Sequence, residues 1–129
     1  VLILSHCYNV YIPSALLAPV NPEIAPQAHQ LQLLIDQLTT HNGGMTAHQA
    51  TGIWFDDTGK PHHENITIVS WWFNHWAAEN GGDTFHKHVD GIVEAMFACG
   101  EKCVAVEYRS PHAPSRMEMR VPEKETQPS

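Results

Sequence analysis

Basic side chains are scarce in this chain of 129 residues: 7 Lys and Arg stand against 14 Asp and Glu, a formal charge of −7 with 10 His counted as neutral. A general nucleic-acid binder displaces counterions with Lys and Arg, so the balance argues against that class. Long apolar runs are missing as well. No stretch approaches the ~20 residues that span a bilayer. Cysteine is sparse and odd in number, with Cys7, Cys99 and Cys103, a poor disulfide framework. These thiols read as small hydrophobes. Residues 1–6 hold an apolar patch without the basic stretch and long apolar core of a signal peptide. Asn65, Ile66 and Thr67 fit a glycosylation acceptor but lie in a predicted strand; with nothing else pointing to secretion, a cytoplasmic location is the expectation, although a start at Val1 leaves a removed leader open. No P-loop, dinucleotide fingerprint, nucleophile elbow or H-E-x-x-H zinc motif occurs.

What is present is a succession of clear periods. Residues 6–12 alternate, His6, Tyr8, Val10 and Ile12 against Cys7, Asn9 and Tyr11, and Pro13 closes the strand. A proline-broken loop follows, and Pro26 suits a first helical turn. Leu31, Leu34, Ile35 and Leu38 then recur at helical spacing, with Ala28 on the same face. Gly43 and Gly44 stop that helix. Residues 45–56 and 61–73 read as a long hairpin about Asp57, Thr58, Gly59 and Lys60. Gly52 in its first arm suggests a bulge or a close approach. Asn80, Gly81 and Gly82 read as a break, with Asp83 or Thr84 capping a helix whose apolar face is Phe85, Val89, Ile92, Val93, Met96 and Phe97. Residues 103–108 alternate as a last strand.

Residues 1–109 therefore read as one α+β domain, and residues 110–129, proline-rich and without an apolar period, as an extended or disordered tail. In that tail Glu118, Glu123 and Glu125 balance Arg116, Arg120 and Lys124, so the whole −7 falls on the domain. The element order predicts a four-stranded antiparallel sheet with two helices on one face, the ferredoxin-like βαββαβ arrangement. Over residues 6–109 this order resembles the broad ferredoxin-like superfamily, PII-like and dimeric α+β-barrel proteins included. The run Ala50, Thr51, Gly52, Ile53, Trp54, Phe55, Asp56 through Glu64 and Asn65 also resembles small orphan proteins carried on bacterial mobile gene cassettes (integrons) or phage. That second resemblance implies no activity.

A two-residue turn at Thr58 and Gly59 would pair Trp54 with His63, Gly52 with Asn65, His48 with Val69 and Thr46 with Trp71. One face would then carry Thr46, His48, Ala50, Gly52, Trp54, His63, Asn65, Thr67, Val69 and Trp71. The other, with Met45, Ile53, Phe55, Ile66, Ile68 and Trp72, would meet the helices. A three-residue turn would shift the register by one and mix the sets. The first register separates polar from apolar residues better and is preferred. Its open face, through Trp54, Trp71, His48, His63 and Asn65, is the expected subunit interface or ligand site.

The histidines cluster, but no metal site is expected. Adjacent His62 and His63 point to opposite faces of a strand, and His86 and His88 to different sides of a helix. At the hairpin end Asp56, Asp57 and Glu64 lie near His62 and His63, where a His–carboxylate pair could exchange protons; turn residues facing water are the plainer reading. The leading expectation is a small homo-oligomeric binding protein whose sheet face contacts another subunit or takes a small neutral or cationic ligand. It needs no cofactor and has neither nucleic acid nor membrane as partner. One alternative is a cofactor-independent enzyme of the dimeric α+β-barrel type, with His48, His63 or Glu64 as acid–base groups in a cleft between sheet and helices. Another is an inhibitor that binds a protein partner.

Overall fold

The computed structural model describes residues 1–18 and 21–122. Strand β1 (His6–Pro13) leads through a short helix α1 (Ser14–Leu17) to α2 (Ala25–Asn42). Strands β2 (Thr46–Phe55) and β3 (Pro61–Phe73) form the hairpin, α3 (His75–Ala98) follows, and β4 (Val104–Ser110) and β5 (Ala113–Arg120) complete the order. The fold is α+β, with one antiparallel sheet of five strands in the order β2-β3-β1-β4-β5. Among the described residues no helix is long and apolar enough to cross a membrane.

The core lies on one side of the sheet. Tyr8, Val10 and Ile12 of β1 join Val69, Trp71 and Phe73 of β3 and Val104 and Val106 of β4 beneath the apolar stripes of α2 and α3. The α2 stripe is the one its spacing predicts: Ala28, Leu31, Ile35 and Leu38 are buried. Gly43 caps the helix in the left-handed region (φ 88), donating its N–H to the Thr39 carbonyl at 2.9 Å.

Three expectations need correction. First, α3 does not begin at Asp83 or Thr84. Asn74 caps it, its Oδ1 accepting from the Ala77 N–H at 2.8 Å, and the helix runs through Gly81 and Gly82. Each glycine costs about 1 kcal/mol against alanine. The Asn74 cap and the packing of Ala77 and Ala78 on the core offset this cost.

Second, the tail supplies a fifth strand, so the sheet is not four-stranded. Residues 113–120 pair with β4, from Val104↔Arg120 to Ser110↔Ala113. Along the strand Met117 and Met119 alternate with Arg116, Glu118 and Arg120, but both are exposed and the alternation is too short to mark a buried face. Backbone pairing holds it, together with Arg120, which meets Asp90 at 2.8 Å and Glu118 at 3.1 Å. Residues 123–129 of the expected tail lie outside the described residues.

Third, the hairpin takes the register expected of a three-residue turn. Trp54 pairs with His62, Gly52 with Glu64, His48 with Ile68 and Thr46 with Ser70. The Asp56 N–H donates to the Lys60 carbonyl at 3.0 Å, and the Gly59 N–H to the Asp56 carbonyl at 2.9 Å. Gly59 is left-handed at φ 80, as a type I turn with a G1 bulge requires. The Asp56 carboxylate decides the matter: its Oδ1 accepts from the backbone N–H groups of Thr58 and Lys60 and from the Thr58 hydroxyl. Aspartate side chains favour such local turns; here that outweighed the cleaner separation of polar from apolar residues.

Candidate functional site

Residues directly opposite one another share a face of a sheet, so the one-residue shift decides the composition of the open face. On β2 the expected set stays: Thr46, His48, Ala50, Gly52 and Trp54. On β3 the sides exchange, and Ser70, Ile68, Ile66, Glu64 and His62 stand opposite them. Trp72 belongs to the same row, beside Cys7 of β1. Gly52 marks a close approach and not a bulge: the register is continuous there, and a Cβ would stand 3.3 Å from Ile66 Cγ1.

The candidate residues are accordingly dispersed. Trp54 and His48 are exposed on the open face, and Glu64 is half-buried there. Trp71 is in the core, 0% exposed, its indole N–H donating to Thr39 Oγ1 at 3.1 Å. His63 and Asn65 are exposed on the helix side of the sheet. His48 stands opposite Ile68 and Glu64 opposite Gly52, so His48, His63 and Glu64 do not gather into one acid–base group.

A different set does gather. A cleft of about 290 Å³ opens on the uncovered face, walled by Tyr11, His48, Ile68, Trp72 and Arg109, over a floor of Ser70, Asn9 and Glu107. The floor is one hydrogen-bonded row across three strands. Asn9 Oδ1 accepts from the Ser70 hydroxyl and from the Cys7 thiol, and Asn9 Nδ2 donates to Glu107 Oε1 at 2.7 Å. Glu107 Oε2 accepts from the Ser115 hydroxyl at 2.7 Å and from Arg109 Nε at 3.2 Å. The Ser115 hydrogen bond, with help from Asn9 and Arg109 and against burial, holds the Glu107 carboxyl below the usual range. Burial pushes the Cys7 thiol up to about 12, so it stays a thiol at neutral pH.

Position along the strands carried a signal for this row. Asn9 sits mid-strand in an apolar run, and a polar group in a central strand needs a partner. Glu107 and Arg109 alternate against Val104, Val106 and Tyr108 on the last strand. Neither residue belongs to a recognisable spacing motif.

A second constellation occupies the hairpin tip, about 26 Å from Thr46 along β2. His62 Nε2 meets Asp56 Oδ2 at 2.8 Å, and the imidazole stacks on Trp54 with centroids 4.3 Å apart. Asp56 is lowered to about 2, first by the Thr58 hydroxyl and next by His62. The carboxylate partner at the tip is thus His62, not His63. Among the described residues, no three His, Cys, Asp or Glu side chains are placed to hold a metal.

No family model matches the sequence, and no curated protein matches it either. Solved structures do share the fold. A phage SAM lyase in complex with S-methyl-5'-thioadenosine superimposes with a TM-score of 0.57 at 12% identity, over 93% of this chain and 92% of that one. A phage SAM lyase in the apo state does so with a TM-score of 0.53 at 13% identity, over 92% and 90%. At this identity the likeness is one of fold.

Proposed function

We propose that this chain is a small-ligand binding protein whose open-face cleft takes a cationic nucleoside of the S-adenosyl sulfonium type, or the related thioether. The observation that carries the reading is Glu107, held ionised on the cleft floor between Trp72, Tyr11 and Arg109. Each part of such a ligand has a counterpart there. A purine can stack on Trp72 or Tyr11, a positive sulfur can lie toward the Glu107 carboxylate, and an amino-acid carboxylate can meet Arg109. The net charge of −7 attracts a cation from a distance. The first four strands, which we read as a ferredoxin-like βαββαβ core with β5 added, support the same class through their likeness to the phage SAM lyase. The phage source of both neighbours also supports kinship with the small proteins of phage. Homo-oligomer formation is part of the proposal.

The likeness to a lyase favours a second reading, an enzyme that cleaves the ligand, with His48 and Glu107 beside the reacting atoms. Titration calorimetry with S-adenosylmethionine and with S-methyl-5'-thioadenosine tests the binding reading. We expect one site per chain, weakened about tenfold or more by Glu107→Gln or Trp72→Ala and unchanged by His63→Ala. No heat from either compound at about 1 mM would overturn it. Chromatography of S-adenosylmethionine after incubation separates the two readings: released S-methyl-5'-thioadenosine marks the enzyme, and intact ligand the binding protein.

A further inference from the structure

We propose that the outer edge of β2 is where two copies of this chain join, by antiparallel strand pairing that makes one continuous sheet of both copies. β2 and β5 are the two edges of the sheet, and they are built differently. β5 carries Pro114 and the charged residues Arg116, Glu118 and Arg120, all three in ion pairs. Proline and charge are the usual guards of an exposed edge. β2 runs from Thr46 to Phe55 without a proline or an Asp, Glu, Lys or Arg. At its end three consecutive large apolar side chains are exposed, Ile53 at 57%, Trp54 at 52% and Phe55 at 68%.

The hydrogen-bond phase fixes which groups face outward. Asp56 and Lys60 bond at the turn, so Trp54, Gly52, Ala50, His48 and Thr46 direct their N–H and carbonyl groups toward β3. Phe55, Ile53, Thr51, Gln49 and Ala47 direct theirs away from the sheet. A two-fold axis through Thr51 pairs Thr51 with itself, Gln49 with Ile53 and Ala47 with Phe55. This gives about ten backbone hydrogen bonds between the copies.

Charge selects the same edge. Two copies at −7 repel, and the meeting surface must be neutral. In this register the Asp56 and Asp57 turn of one copy lies beside residues 44–46 of the other, Gly44, Met45 and Thr46, which carry no charge. On the open face Trp54 of one copy stands opposite His48 of the other, at the rim of the cleft. The exposed end of each strand is thereby covered by the start of its mate.

Sedimentation equilibrium of the full chain, without ligand, tests this independently of what the cleft binds. A dimer is expected. Thr51→Pro removes an outward N–H that has no partner among the described residues, which an edge strand tolerates, and should raise the dimer dissociation constant about 30-fold or more with circular dichroism unchanged. Thr51→Lys sets like charges face to face at the axis and should do the same by another route. Met117→Lys on the guarded β5 edge should leave the dimer intact. A monomeric or trimeric wild type, or a dimer that survives both Thr51 variants, overturns the proposal whatever calorimetry shows of the ligand.

Discussion

Trp71 and Trp72 are neighbours in sequence and opposites in circumstance. Trp71 is 0% exposed among the side chains under α2 and α3, whereas Trp72 is 39% exposed at the wall of the open cleft. Around Trp71 the helix side of the sheet is closed by apolar packing, with Trp71 satisfying its one donor on Thr39. The open side is organised by the row from Ser70 through Asn9 and Glu107 to Ser115, where hydrogen bonds take the place of packing. The same strand thus packs the core with one face and walls the open cleft with the other.

Replacing each tryptophan in turn should give the widest separation between the faces. Trp71→Ala opens a cavity in the core and removes the donor to Thr39, whose hydroxyl keeps its bond to the Ile35 carbonyl, and should cost about 3–5 kcal/mol in denaturant unfolding. Trp72→Ala removes a half-exposed side chain and should cost about 1 kcal/mol or less. Equal losses would mean that the two faces are not differently built.

Much of this arrangement was legible in the sequence, because most of it follows from period. The spans of β1, β2, β3 and β4 agree with the alternating patterns to within a residue or two, as do the buried stripes of α2 and α3. What escaped depends on local chemistry that period cannot see. The side chain of Asp56 chose the turn and so exchanged Trp71 for Trp72 and His63 for His62 on the open face. β5 buries no face of its own, its Met117 and Met119 staying exposed, and it is recognisable through its pairing with β4. Gly81 and Gly82 have the composition of a break, yet the cap lies upstream at Asn74. The cleft was hidden for a related reason: Asn9 lies far in sequence from Glu107 and Arg109 and shares no motif with them, and only the pairing of β1 with β4 brings them together.

The glycines in α3 allow a smaller test of the helix side. Among the described residues, a Cβ at Gly81 or at Gly82 would meet no atom within 4 Å beyond its chain neighbours and its own helix backbone, so nothing in that packing demands glycine. Alanine at either position should stabilise the protein by about 0.5–1 kcal/mol through its helix propensity. A loss of stability on thermal unfolding would place these residues outside the helix and restore the break that their composition suggests.

Acid should separate the faces a last time, through the direction of each shift. His6, on the helix side of β1 and stacked on Phe73, is held below its ordinary 6.5, chiefly by burial and then by His75 and His112. In the window below 6.5 the unfolded chain takes up a proton that the folded chain refuses, so stability is full above that pH and declines beneath it. On the open face Glu107 lies below its ordinary 4.5 and Asp56 falls from 3.8 to about 2. Their contributions are complete above those ordinary values and are lost as the pH drops through the lowered ones. Unfolding free energy followed from neutral pH downward should therefore decline in two stages, the helix side first. His6→Phe should abolish the upper stage alone, and Glu107→Gln should flatten the lower one. An upper stage that persists in His6→Phe would show that the helix side does not set it.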